Sequence, residues 1–234
     1  MTGPAQQVPS SLSALFAIAR LTLMRVMRGK TVWVGIVIAC LPFLLALILA
    51  SQKHVDVEEP VYAVELLILA LIPPMFIAAS IGEELEERTA TYLWSRPLPR
   101  WTVLAGKLLT LAPMAVALVI GSFIVSVELG AHKLPETAAI ASLAIGAVAT
   151  SIVAAGIATL VPKHGMSLAI LYLLFIDVPV GEIPASIRNI SVTHNAETLA
   201  GHGSGSATTG AIVLAVICVG WLALAFRRIG RIET

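Results

Sequence analysis

The chain has 234 residues, 58% of them hydrophobic and only 12% charged, with a mean hydropathy of +0.93; a soluble domain carries about 25% charged residues. So few charges cannot cover a soluble surface, which excludes a soluble enzyme, a nucleic-acid binder, a disulfide-stapled secreted domain and a disordered chain, while six helices of ~20 apolar residues fit this composition. The net charge of +1 says nothing as a sum; its distribution along the chain does.

The first ten residues are polar and hold two prolines. They lack an apolar core behind a basic start, so they do not read as a cleavable signal peptide. No lipid-attachment box or retention tail is expected at either end. Ser11–Arg28 reads as a separate amphipathic helix, capped by Ser11 or Ser13. Arg20, Arg25 and Arg28 fall within roughly 140° of one face at 100° per residue, with Leu15, Phe16, Leu23 and Met27 elsewhere. Such a helix lies on the cytoplasmic membrane surface, its basic side toward lipid phosphates.

Six apolar segments follow: Thr31–Ala50, Val61–Ile81, Thr102–Leu129, Glu136–Val161, Met166–Val180 and Thr208–Phe226. Five are long enough to span. The fifth is short and runs into Gly181, Pro184 and a second apolar patch around Ile187 and Ile190, so it is expected to end in a re-entrant piece. Pro42, Pro73, Pro74, Pro113 and Pro179 interrupt the spans, either as simple kinks or as hinges beside a pathway. In the fourth span Ser142, Gly146, Thr150 and Ala154 recur at four-residue spacing, a face that lets helices pack closely. Cys40 and Cys218 lie inside apolar runs and read as small hydrophobes.

Twelve of the fifteen lysines and arginines fall before the first span, between or just inside the second and third, between the fourth and fifth, and after the sixth. Lys53, Lys133 and Arg188 are the three on the other side. The positive-inside rule then puts both termini in the cytoplasm. The expected layout is a cytoplasmic N-terminus with its interfacial helix over 1–30, a six-span all-α domain over 31–227 and a tail over 228–234.

The cytoplasmic stretch from Ile81 to Leu108 carries most of the chemistry. Glu83, Glu84, Glu86 and Glu87 place acids on a helix that runs on out of the membrane, and Thr89 to Trp94 can prolong it. Pro97 and Pro99 end it, because each lacks a donor and restricts its predecessor. Arg96 and Arg100 flank the break, and Lys107 sits one turn into the next span. The pattern builds an exposed helix, a charged elbow and a return: a handle for another protein.

This stretch resembles the loop after the second span of ABC-2 type permeases, the membrane subunits of ATP-driven exporters. The matching positions are Glu84, Arg88-Thr89, Leu93, Ser95-Arg96-Pro97, Arg100 and Gly106-Lys107. Arg88 stands where that family usually has glycine. In outline the resemblance extends to the basic N-terminal helix, the six spans and the longer external segment before the sixth. It implies that two permeases, identical or paralogous, pair to give twelve spans, and that two cytoplasmic ATPase subunits dock beneath them and rock the two halves. Docking would use the surface helix and the elbow, with Glu83, Glu84, Glu87, Arg88, Arg96 and Arg100 as contact residues. Glu84 and Glu87 would meet basic residues of the ATPase or pair with Arg20 and Arg25. The resemblance also implies a plasma-membrane location, the inner membrane of a bacterium or archaeon.

No G-x-x-x-x-G-K-[ST] occurs in the sequence, so no cofactor is expected on this chain, and magnesium-ATP would be bound and hydrolysed by the partner ATPase. The run from Gly201 to Ser206 has no following Lys-Ser or Lys-Thr and reads as a loop.

Other readings come from single features. Glu83-Glu84 followed by Arg88 fits the E-E-x-x-x-R signature of intramembrane CAAX-type proteases. Those also need Phe-x-x-x-His to activate water, whereas Phe123 is followed by Val127 and Phe175 by Pro179. His194, Glu197 and His202 in the external segment are borderline metal ligands. Glu65, Glu128 and Asp177 sit toward the outer edge as candidate pathway acids. A secondary transporter coupled to ions or protons would use them, though no inverted repeat accompanies them. A purely structural membrane anchor is the remaining class. The external loops are too short for a large external domain, and the transported molecule is open among lipid-like compounds, peptides, drugs and ions.

Overall fold

The computed structural model of the chain describes residues 11–51, 56–86, 100–203 and 205–231. Among these residues there are helices and turns and no strand. Six stretches are long and apolar enough to cross a membrane: Lys30–Ala50, Glu58–Gly82, Trp101–Ala131, Thr137–Leu160, Pro162–Glu182 and Ala207–Arg231. In hydrocarbon every backbone N–H and C=O must be satisfied within its own segment, which leaves the helix as the form for such runs. The chain is an all-α polytopic membrane protein.

Proline sets the punctuation. The surface helix α1 (Ser11–Arg28) is followed by the first span, which divides at Cys40 into α2 (Lys30–Ala39) and α3 (Leu41–Ala50), with Pro42 in the first turn of α3. The second divides across Ala70 and Leu71 into α4 (Glu58–Leu69) and α5 (Ile72–Glu86), and Pro73-Pro74 opens α5. A proline in the first turn lacks only an N–H that would have had no partner there. The third span is α6 (Arg100–Ala131), which carries Pro113 inside it without a break, and the fourth is α7 (Thr137–Leu160).

The fifth span is the least regular. A 3₁₀ turn at Pro162–His164 leads into α8 (Gly165–Tyr172), a π turn at Leu173–Asp177 and α9 (Val178–Glu182). The π turn ends just before Pro179, which has no N–H for the α ladder. A second 3₁₀ turn, Ser186–Ile190, is followed by the short α10 (Val192–Ala200) and then by the sixth span, α11 (Ala207–Arg231).

The second and fourth spans form the centre. Buried residues make up 72% and 67% of their most apolar stretches, against 17% for the first and sixth and 28% for the third and fifth. The small-residue face of α7 is the reason this packing is possible. Ser142, Gly146, Thr150 and Ala154 are all buried. A Cβ on Gly146 would sit 2.9 Å from Leu69 Cδ1 and 3.3 Å from Ala196 Cβ, and one on Gly156 would run into the Trp221 ring. The hydroxyls on α7 turn back to their own helix: Thr150 donates to Gly146 O, Ser151 to Ala147 O and Thr159 to Gly156 O. Hydroxyls satisfied within their own helix leave this small-residue face free for close packing.

The outward faces are apolar. Trp33, Val37, Leu44 and Ile48 on the first span, Phe175 and Ile176 on the fifth, and Ile212, Val216 and Val219 on the sixth are all exposed, as lipid-facing positions are. Cys40 is exposed and Cys218 half-buried, and both are free.

After the fifth span Ile187 and Ile190 are 49% and 63% exposed, whereas in the next helix, α10, seven of nine residues are buried. Its composition is polar, and it is carried inward by partners described below.

Candidate functional site

The elbow resembling a permease loop begins where α5 leaves the apolar stretch. Glu83 and Glu84 lie in the last turns of α5 and Arg100 opens α6. Glu87, Arg88 and Arg96 lie outside the described residues. The three arginines of α1, Arg20, Arg25 and Arg28, are exposed.

Beside this elbow a bracket holds three helices together. Ala14 and Thr22 of α1 are buried, and with Ile18 and Val26 they recur every four residues, one helix face. That face lies on α6 at Gly106, where a Cβ would meet Ile18 Cγ2 at 3.0 Å and Leu15 O at 3.2 Å. One turn on, Thr110 Oγ1 donates to Ala19 O of α1 at 3.1 Å and to Gly106 O at 3.0 Å. Lys107, between them, is only 1% exposed. Its ammonium donates to the carbonyl of Ser80 on α5. The two residues of the Gly106-Lys107 pair thus act differently. The glycine admits α1, and the lysine ties α6 to α5. The large apolar side chains Phe16, Leu23 and Met27 of α1 stay exposed.

The three acids near the outer edge have separate surroundings. Glu128 is exposed near the end of α6. Asp177 is 2% exposed and caps α10 from outside it. Its Oδ1 accepts from Val192 N at 2.8 Å, and its Oδ2 accepts from Thr193 N at 3.0 Å, Thr193 Oγ1 at 2.9 Å and Ser191 Oγ at 3.2 Å. A carboxylate at a helix N-terminus satisfies orphan donors and complements the dipole. The Ser191 hydroxyl adds the local cap, accepting from His194 N.

Glu65 on α4 is fully buried. Its Oε1 accepts from Ser122 Oγ of α6 at 2.6 Å, while Oε2 and, one turn along α6, Ser126 Oγ have no hydrogen-bond partner. An ionisable side chain inside a span is a functional candidate on that ground alone. One turn earlier on α4, Tyr62 joins three elements: its hydroxyl shares a hydrogen bond with Ser142 at 2.9 Å and donates to Ala196 O of α10 at 3.4 Å. Its ring lies 5.9 Å from Phe123 and 5.1 Å from His202.

His194, Glu197 and His202 do not converge on a metal site; among the described residues no three His, Cys, Asp or Glu side chains come together to hold an ion. Burial and then Arg188 hold the His194 imidazole below its usual range, against Glu182. Burial and then Glu182 push the Glu197 carboxyl up from 4.5 to about 6. A carboxyl raised in this way binds its proton more readily in the folded state, so its contribution to stability falls as pH rises from 4.5 to about 6 and stays lost above that. Glu197→Gln is expected to flatten that slope in thermal melts taken across the window and to raise the melting temperature slightly at neutral pH. The gain is small because the half-exposed group is partly screened by solvent. A slope unchanged in the variant would show that Glu197 does not carry it.

At the outer turns, Lys133 Nζ lies 2.8 Å from Glu58 Oε2, and Glu136 N donates to Glu58 Oε1 at 2.7 Å. This clasp joins the start of the second span to the turn between the third and fourth.

The bracketed helices and the six apolar spans define a multi-pass membrane protein. The family described as ABC-2 family transporter protein matches residues 23–180, about two thirds of the chain, so the chain belongs to the ABC-2 transporter family. The match runs from within α1 through the first five spans to α9. No curated protein matches the chain.

Proposed function

We propose that this chain is the membrane half of an ATP-driven exporter, working as a pair with a second copy or a paralogue and driven by a separate cytoplasmic ATPase. The observation that carries the reading is the bracket of α1, α5 and α6 beside the acidic end of α5. A displacement delivered to the elbow would reach α5 through its C-terminal turns and α6 through its first turn. Lys107 on Ser80 keeps those two helices moving as one body, and the Gly106–Thr110 contact carries α1 with them. Glu83, Glu84, Glu87, Arg88, Arg96 and Arg100 would be the ATPase contacts, assisted by Arg20, Arg25 and Arg28. Magnesium-ATP stays on the partner. The distribution of basic residues supports a cytoplasmic side for this end and for both termini; the membrane would be the inner membrane of a bacterium or archaeon.

The test is purification of the chain from its native membrane in mild detergent, followed by identification of copurifying proteins and assay of magnesium-ATP hydrolysis. A P-loop ATPase should accompany the chain. Glu84→Lys combined with Glu87→Lys should lower coupled hydrolysis and ATP-driven transport at least tenfold while leaving the melting temperature within a few degrees, since both positions follow the second span, which ends at Gly82. Wild-type partner binding and transport in that double variant would remove the docking role from these acids.

A secondary carrier is the second reading, favoured by one observation: the unpartnered Oε2 of buried Glu65. It requires transport that survives ATP depletion and is abolished by Glu65→Gln. Transport that stops with ATP depletion rules it out.

A further inference from the structure

We propose that the seam between α4 and α6 is a proton-binding site, with the neutral carboxylic acid of Glu65 as its carrier and Ser126 as the acceptor of its O–H. Two buried polar atoms without a hydrogen-bond partner, Glu65 Oε2 and Ser126 Oγ, lie on either side of this seam, and the packing of the two helices brings them to one interval. Ser122 Oγ donates to Glu65 Oε1. Further along α6, a Cβ on Gly130 would meet Val57 Cγ1, just before α4 begins. The two helices therefore run antiparallel, in a register that sets Ser126 opposite Val61. Helical side chains lean toward the N-terminus of their own helix. Glu65 thus leans toward Val61 and Ser126 leans back toward Ser122, so the two free atoms approach the same interval from opposite ends.

The interval is closed and apolar. Glu65 and Ser126 are fully buried, and so are Val61 and Leu69 on α4 and Val119, Phe123 and Val127 on α6. Among the described residues no basic side chain faces it. The neighbouring helices α3 and α7 carry no charged residue. Arg100 and Lys107 lie in the cytoplasmic turns of α6, and Glu128 is exposed. Glu58, at the start of α4, pairs with Lys133. Tyr62 bonds Ser142 and Ala196 O and meets the His202 ring, and α10, which carries His194 and Glu197, reaches α4 there. An ionised carboxylate without a cation is costly in such a place. A proton on Oε2 instead turns a lone acceptor into a donor facing an acceptor, the use a buried neutral acid can serve. The donor set favours a proton over a metal ion, because one free carboxylate oxygen and one hydroxyl fall well short of the roughly six oxygens that hard cations take. A movement that parts α6 from α4 admits water and releases the proton. The site supplies the ion for the carrier reading and is equally compatible with an ATP-driven chain, so it stands or falls separately from both.

Infrared spectroscopy of the intact chain in lipid nanodiscs at neutral pH tests it. The spectrum should contain the carbonyl band of a protonated carboxyl, and Glu65→Gln should remove one carboxyl's share of it. Ser126→Ala keeps Glu65 and takes away the acceptor, so it should shift the frequency of that band; it reads the same interval should Glu65→Gln fold poorly. Sodium chloride added at constant pH should leave the band unchanged. A spectrum that loses no protonated-carboxyl intensity in Glu65→Gln would show an ionised carboxylate and overturn the site. A band unmoved by Ser126→Ala would overturn it too, since the proton would then not be held against Ser126. Loss of the band on adding sodium chloride would put a metal cation in the proton's place and would overturn the proposal as well.

Discussion

Asp177→Ala is expected to release α10 from the bundle. Four hydrogen bonds end on this one carboxylate, two from backbone N–H groups and two from hydroxyls, and the site is almost closed to water. Removing the acceptor leaves the start of a buried helix unsatisfied, and a buried donor left without its partner costs about 1–3 kcal/mol. The other holds on α10 are the long bond from Tyr62 to Ala196 O, the bond from Asn195 to Asn189 O, and the packing of Val192, Ala196 and Ala200 in the core and of Asn195 and Thr198 beside Gly210. The variant therefore sets the cap against that packing. The measurement is labelling of an Ala196→Cys reporter by a membrane-impermeant maleimide, in a chain whose two native cysteines are replaced by serine. Ala196 is fully buried, so the reporter should be silent with Asp177 present and reactive without it, alongside a clear fall in melting temperature. A reporter that stays silent in the Asp177→Ala chain would mean that packing alone holds α10. Asp177→Asn should fall between the two, because its one carbonyl oxygen can accept from only one of the two backbone donors, Val192 N or Thr193 N, while its NH2 group faces the other.

That case also shows where sequence reasoning stops. The six spans were legible because a bilayer leaves few choices: an apolar run of sufficient length becomes a helix, and Pro42, Pro73-Pro74 and Pro179 mark the places where the helices are divided or irregular. The face from Ser142 to Ala154 was legible because small residues at four-residue spacing have a packing consequence. The segment from Val192 to Ala200 was not, because the polar Thr193, His194, Asn195 and Thr198 give no reason for burial until a carboxylate from the preceding span is placed over its start. A weak signal was present: Ser191 and Gly201 bracket nine residues in which Val192, Ala196 and Leu199 share a helical spacing, and Gly201 ends the helix at φ +85°. Asp177 read as an interfacial acid, and its capping of α10 depends on contacts across 14 to 16 residues. The Gly106-Lys107 pair was visible only as part of a family resemblance. Its physical reasons, the approach of α1 and the bond to Ser80, involve residues 27 to 91 positions away.

Gly106→Leu is expected to have the largest effect at the cytoplasmic end. A Cβ at this position already meets α1 at 3.0 Å and 3.2 Å, the nearer atom belonging to a side chain and the second to the Leu15 backbone. A leucine adds three further carbons where the α1 backbone stands, so α1 must shift, and overpacking of this kind costs about 1–3 kcal/mol. The shift also takes Ala19 O away from Thr110 Oγ1, which loses the second hold of α1 on α6. If force from the ATPase travels through this bracket, coupled hydrolysis and transport should fall at least tenfold while the remaining spans stay folded. Gly121→Leu is the control on the same helix, since nothing lies within 4 Å of a Cβ there, and removing a glycine from a helix interior gains several tenths of a kcal/mol. That variant should melt no lower than wild type and transport normally. Equal loss in both would point to a general effect of bulk on α6, and wild-type transport in Gly106→Leu would remove α1 from the path of force.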